Sequence, residues 1–231
     1  MHYGVNVYQN LCKVLEKIKK NPAIAFIVFT GDLTQDHSEI SYQNFSDAVA
    51  LVEITIPIYR LAGNHDEPEL LNKYLSETPF SLIKTITHEE WQIQLLNSKS
   101  HTPSGSITDK ESERLLDAVD AKKYQFILMH HHPVNVGYFI DKHGLMNKEN
   151  FYQTLNQIQS LKAIGCGHVH NAIELSVDTG EKIIPLFTCP ATSIQFKQST
   201  SSLENSGKPA GYRLYELHND GFINSHVVFI S

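Results

Sequence analysis

Cysteine is scarce in this chain: Cys12, Cys166 and Cys189 are the only three among 231 residues. They are too few and too scattered for a disulfide framework or a Cys-rich zinc site, and such usage fits a reducing cytoplasm. Cationic runs are missing as well. Lys and Arg number 19 against 25 Asp and Glu, a net charge of −6, and no Lys/Arg block occurs. That balance argues against nucleic-acid backbones as partners but leaves small phosphate esters open. No apolar run approaches the roughly 20 residues of a membrane span, so no membrane partner is expected. The opening Met1-His2-Tyr3-Gly4-Val5-Asn6 lacks the charged and apolar regions of a signal peptide. Internal repeats and low-complexity tracts are absent too.

What is present is an ordinary globular composition, 41% hydrophobic and 19% charged, with 13 His, several of them clustered. The length suits one domain or two small ones. Val5, Tyr8, Leu11, Cys12, Leu15 and Ile18 recur at helical spacing, with Lys17, Lys19 and Lys20 closing the last turn before Pro22. A strand is predicted over Ala23–Thr30, then a helix capped by Ser38 and running to Val52, then a strand over Pro57–Ala62. Glu67–Leu75 reads as a helix with Pro68 in its first turn. Strands follow over Phe80–Thr87 and Trp91–Leu96, then a loop, and a helix over Asp109–Ala121. The strand Tyr124–Met129 leads through the loop Val134–Gly144 to a helix over Lys148–Leu161 and a short strand, Ala163–Cys166. Beyond it the pattern is strand only: Ala172–Val177, Lys182–Phe187, Tyr212–Leu217 and Ile223–Ile230. Asp178-Thr179-Gly180 and Asn219-Asp220-Gly221 serve as hairpin turns, and Ser199–Lys208 reads as a mobile polar loop. The alternation of helix and strand predicts an α/β fold with a largely parallel sheet.

Four of the apolar strands end in side chains that can bind metal. Ile27-Val28-Phe29-Thr30 runs into Gly31-Asp32, the next strand into Gly63-Asn64-His65-Asp66, a third into His130-His131-His132-Pro133, and a fourth into Gly167-His168-Val169-His170. Parallel strands bring their carboxyl ends to one edge, where open α/β sheets bind ligands. A mixed carboxylate, amide and imidazole set suits iron, manganese or zinc rather than a thiolate-bound ion. His168 and His170, two apart on an extended segment, point to the same side and could serve one site or two adjacent metals.

These ordered motifs resemble those of the calcineurin-like metallophosphoesterases. The flanking stretches narrow the likeness. Tyr3-Gly4-Val5-Asn6-Val7-Tyr8, Thr30-Gly31-Asp32-Leu33-Thr34-Gln35-Asp36, Glu90-Trp91-Gln92-Ile93, Ser193-Ile194-Gln195-Phe196-Lys197 and Gly211-Tyr212-Arg213 through His218 are similar to bacterial class III cyclic-AMP phosphodiesterases. The resemblance covers nearly the whole chain, read as a single domain over 1–231. It implies a four-layer α/β/β/α sandwich around two divalent metal ions, iron or manganese in first place and zinc as an alternative. Asp32 is then implied to bridge both metals, Asn64, His130 and His168 to hold the second, and His170 to belong to the first. Asp32, Asn64, His65 and His170 would face the substrate. His65 is implied to be catalytic rather than a ligand, stabilising transition-state charge or protonating the departing sugar oxygen. The implied reaction opens 3',5'-cyclic AMP to 5'-AMP by in-line attack of a hydroxide held between the cations. Asp66 is expected behind the ligands, and His131 and His132 in structural or rim roles. A small cyclic nucleotide is the implied partner; a homodimer is compatible with the chain.

One departure stands out. The family pattern opens with a strand ending in Asp-x-His, upstream of Gly4-Val5-Asn6, and this chain starts directly with the helix. His2 is no substitute. The first metal is thus expected to keep only Asp32 and His170, and the sheet to lack a strand. Either the natural start lies upstream of Met1 or the product is a shortened relic; the intact remaining motifs favour the first. Two other functions stay in play: a phosphoesterase for another small diester or monoester, and a catalytically silent chain with an incomplete dinuclear site. Metal content separates the silent chain from the enzymes.

Overall fold

The computed structural model describes residues 4–230. Tyr3, at the head of one matched stretch, and His2 lie outside the described residues. The first helix, α1 (Val7–Lys19), is capped by the Asn6 side chain, which accepts from the Gln9 amide, and buries Leu11, Val14, Leu15 and Ile18. Lys17 and Lys19 sit in its last turn, where cations oppose the helix dipole. Helix α2 (Glu39–Val52) starts at Ser38 as its sequence predicts and ends at Glu53 in the left-handed region. The short α3 (Pro68–Tyr74) begins on its proline.

These helices cover a three-stranded parallel sheet ordered β1 (Ile27–Phe29), β2 (Ile58–Arg60) and β3 (Phe80–Ser81). A second sheet has six strands: β4 (Thr85–His88), β5 (Trp91–Leu96), β6 (Tyr124–Met129), β7 (Leu161–Cys166), β8 (Glu174–Asp178) and β9 (Ile183–Thr188), in the order β4-β5-β6-β7-β9-β8. Its inner four strands are parallel and its two edges antiparallel. Helices α4 (Asp109–Ala118) and α5 (Lys148–Asn156) cover its outer face. A hairpin of β10 (Gly211–Leu217) and β11 (Ile223–Phe229) completes the described chain.

Alternation along the strands builds the layers. Ile127 and Met129 of β6 pack against α4 and α5, while Phe126 and Leu128 face the other sheet. Ile27 and Phe29 of β1 turn to α1 and α2, and Val28 joins the core between the sheets. The result is the expected α/β/β/α sandwich. Trp91, fully buried between the sheets, donates its indole N–H to the His218 carbonyl at 2.9 Å and so ties the hairpin to β5. Arg213 of β10 reaches the Thr188 carbonyl at 2.9 Å and Glu174 at 2.9 Å. The matched stretches around these residues are therefore structural ties.

Several boundaries differ from the sequence reading. Phe80–Thr87 is not one strand. Phe80–Ser81 completes the small sheet, Thr85–His88 edges the large one, and the exposed Leu82 and Ile83 carry the chain between them. An apolar run does not say which sheet it joins. The first strand pairs only over Ile27–Phe29, because Ala23–Phe26 lie ahead of the β2 register. Helix α4 ends at Ala118, where Val119 turns extended, and α5 ends at Asn156, leaving Leu161 to start β7. A 3-10 turn over Phe139–His143 lies within the predicted loop.

The described β1 pairs on one side only, with β2. Its other edge borders a cavity of about 500 Å³ lined by α1, β1 and Gly211–Tyr212 of β10, which runs to Asp32 and His170.

Candidate metal centre

Register alone delivers most of the site. Phe29 pairs with Arg60, and Met129 with Cys166, so the residues just past these pairs leave the sheets at one edge. Gly31 has φ +99°, open to glycine but strained for other residues. A Cβ there would collide with His130 and come within 2.6 Å of the Gly63 amide nitrogen. A Cβ on Gly63 would in turn run into the Asp32 side chain and backbone. The two glycines let the loops after β1 and β2 close onto His130.

Four donor atoms converge there. The His130 Nε2 lies 3.3 Å from Asp32 Oδ2, 3.2 Å from Asn64 Oδ1 and 3.1 Å from His168 Nδ1. Ligands about 2.1 Å from one cation at right angles sit about 3 Å apart, so these separations match the edges of a coordination polyhedron. Backbone carbonyls fix the imidazoles. His130 donates Nδ1–H to the Thr30 carbonyl at 2.7 Å, and His168 donates Nε2–H to the His143 carbonyl at 3.1 Å. In neutral imidazoles the remaining nitrogens are acceptors. Two imidazole lone pairs, an amide oxygen and a carboxylate therefore face one another with no donor among them, and only a proton or a cation satisfies all four. The residues fit a divalent metal.

Electrostatics point the same way. Burial alone would raise the Asp32 carboxyl, but His130 beside it holds it far below the usual carboxylate range. Burial lowers His130, and the Asp32 carboxylate outweighs that and pushes it up, so this point of the pocket favours positive charge. Burial, with His130 and His131 close by, pushes His168 well down, which favours its neutral imidazole. Asp32, His168 and His170 all have left-handed backbones, at φ +56°, +61° and +50°. Each costs on the order of 1 kcal/mol in a non-glycine residue, a strain typical of sites held by their surroundings.

The remaining expected residues divide. His170 borders the same cavity as Asp32, His130 and His168, with its Nδ1 bound to the Ile194 carbonyl at 2.9 Å. It is not part of the tight histidine group, which is completed by His131. His131 is a neighbour without a free lone pair: its Nε2 donates to the Pro103 carbonyl and its Nδ1 meets the Ser98 hydroxyl at 2.8 Å. His132 is buried and stacks on His168, at 5.7 Å between ring centres. His65 sits at the rim. Its amide donates to Asp32 Oδ1 at 2.9 Å, and its ring lies 3.2 Å from the Gln35 side-chain amide. Asp66, fully buried behind the ligands, accepts from the Leu33 and Gly63 amides at 3.0 and 2.9 Å and locks the two metal loops together. Burial, then the nearby Asp32, pushes its carboxyl up to about 6, with those amides opposing.

Sequence reasoning missed the holders of the ligands: the carbonyls of Thr30, His143 and Ile194, and Lys99, whose ammonium donates to the Asn64 carbonyl at 3.1 Å. Backbone carbonyls leave no mark in a sequence. Only the Thr30–Asp36 and Ser193–Lys197 stretches carried a signal, as a family likeness.

A two-sheet sandwich with a carboxylate, an amide and imidazoles gathered at its strand ends defines a metal-dependent phosphoester hydrolase. The chain belongs to the calcineurin-like phosphoesterase family, whose model matches residues 1–172. It is 51% identical to a probable cyclic nucleotide phosphodiesterase of Colwellia psychrerythraea, over all of this chain and 89% of that protein. It is 32% identical to the 3',5'-cyclic adenosine monophosphate phosphodiesterase CpdA of Escherichia coli K12, over 97% of this chain and 82% of that one. Among solved structures, a dimetal phosphatase from Danio rerio superposes with a TM-score of 0.64 at 12% identity, over 97% of this chain and 89% of that one, a likeness of fold. Membership implies divalent metal ions. No helix among the described residues is long and apolar enough to cross a membrane.

Proposed function

We propose that this chain hydrolyses a 3',5'-cyclic nucleotide, cyclic AMP to 5'-AMP, at the edge where Asp32, Asn64, His130 and His168 meet. The observation that carries the reading is the convergence of four acceptor atoms with no donor between them; the printed names of the relatives supply the substrate. Divalent cations held there supply Lewis acidity and a nucleophile at neutral pH. Asn64, His130 and His168 would hold one cation and His170 would serve the other, with the Asp32 carboxylate available to both. Iron or manganese suits this donor set, with zinc as the alternative. His65, at the rim with its ring free of the ligand group, is placed to give a proton to the departing 3' oxygen or to stabilise charge on phosphorus. The Asp32 carboxylate orients it through the His65 amide. The core shared by both sheets supports one domain over residues 1–231. A small nucleotide substrate fits the cytoplasm, as do three cysteines that are all free thiols.

The test is turnover of cyclic AMP and of bis(p-nitrophenyl) phosphate with added manganese, alongside metal analysis. Turnover of both, lost in Asp32→Ala, supports the reading. Turnover of the synthetic diester alone removes cyclic AMP as substrate. No turnover of either by a metal-loaded chain defeats the enzyme reading.

A further inference from the structure

The Ser193–Lys197 stretch marks a likeness in the sequence yet holds no residue of the proposed site. Its position explains it. Phe196, 5% exposed, lies flat on the His170 imidazole, with ring centres 4.2 Å apart and planes 8° from parallel. Two residues earlier, the Ile194 carbonyl is 2.9 Å from His170 Nδ1. The Phe196 amide donates to the His170 carbonyl at 3.3 Å, and the Asn171 side chain donates to the Phe196 carbonyl at 3.0 Å. Ring, main chain and neighbour of His170 are thus all gripped by one short segment.

That segment is itself rigid. The Gln195 side chain closes a loop on Ala191, donating to its carbonyl at 2.8 Å and accepting from its amide at 3.2 Å. The Gln195 carbonyl accepts from Ser206 at 2.9 Å. Phe139 packs edge-on against Phe196 at 4.9 Å, and Ile194, Val136, Ile140 and Val169 complete the apolar cluster. The holder also fixes a strained backbone, because His170 is left-handed at φ +50°.

We infer that Ile194–Phe196 is the positioning platform of His170. The carbonyl takes the Nδ1 proton, which leaves Nε2 as the donor atom, and the Phe196 face fixes the plane in which that lone pair points. Phe196 is a positioning residue; it touches neither substrate nor metal. The inference rests on reading His170 as a ligand, and it adds that His130 and His168 are held by the Thr30 and His143 carbonyls within a packed group of imidazoles, whereas His170 is held by the Phe196 face and the Ile194 carbonyl of one short segment.

Long-range ¹H–¹⁵N NMR of the histidines in metal-free protein tests the platform apart from the metal. The expected result is a single Nδ1-protonated tautomer for His170. Phe196→Leu keeps the apolar volume and removes the flat face; it should broaden or average the His170 signals and leave His130 and His168 unchanged. Phe196→Tyr keeps the face and should restore the parent spectrum. In a cobalt titration, Phe196→Leu should weaken the absorption lost in His170→Ala by about tenfold. An unchanged His170 spectrum in a folded Phe196→Leu protein overturns the platform, as does an equal disturbance of all three histidines. A locked His170 tautomer with no cobalt band sensitive to His170→Ala leaves the platform standing and defeats the ligand reading instead.

Discussion

The two halves of the proposed metal centre, with Asp32 assigned to both, are built on different elements. One half rests on β6 and β7, adjacent six-residue strands in the interior of the large sheet, and its imidazoles are buried and bound to backbone carbonyls. The other half rests on β1, three residues long and paired on one side among the described strands, and on His170, which follows His168 past the end of β7 and borders the 500 Å³ cavity. Strand length alone does not place a ligand: Asn64 follows the three-residue β2, and His168 and His170 both follow β7, so the carbonyls and loops that bind each side chain do the rest.

The comparison breaks most visibly at the shared residue. Asp32→Ala should lower cyclic-AMP turnover and metal content together, by at least about a hundredfold, beyond what loss of an outer partner costs. His130→Ala should do the same to the tight half, whereas His170→Ala should spare the metal bound there; metal analysis after dialysis reads the split. His65→Ala should cost turnover about a hundredfold with metal content unchanged, and a parallel loss of metal would show that His65 is a ligand after all.

A smaller change sharpens the contrast at the backbone. Gly63→Ala forces a methyl group into Asp32, so the folded state should lose about 1–3 kcal/mol and metal should bind more weakly. Denaturant unfolding and a metal titration together check it. Adding a methyl at Gly180, a hairpin turn with open space around it, should leave metal binding unchanged.

A last effect, away from the ligands themselves, is a pH slope. Burial pushes His132 down to about 4, against the opposing pull of Asp141. Between pH 6.5 and 4 the unfolded chain then binds a proton at this position that the folded chain does not. The stability of the metal-free protein therefore falls as pH drops through that window, by about 1.4 kcal/mol per unit for this one group. His132→Gln should unfold with a slope shallower by about one proton, and equal slopes in parent and variant would show that His132 titrates normally.

Much of the architecture was legible because it is local. Ser38 and Pro68 mark helix starts through capping and ring geometry, and Trp91–Leu96 and Tyr124–Met129 emerge with the predicted ends because both are apolar runs bounded by polar turns. The division of Phe80–Thr87 between two sheets was not legible, since pairing partners lie far away in sequence. The sequence by itself determined which residues stand at the strand ends, because Gly-Asp, Asn-His and the histidine runs follow apolar stretches whose direction sets where they emerge. Only the tertiary structure decided which of them meet as acceptors. Thr30 binds His130 across 100 residues, Pro103 and Ser98 spend both nitrogens of His131, and Phe196 lies on His170 from 26 residues away. An imidazole has two nitrogens, and which one faces the metal is set by what the other one finds in space.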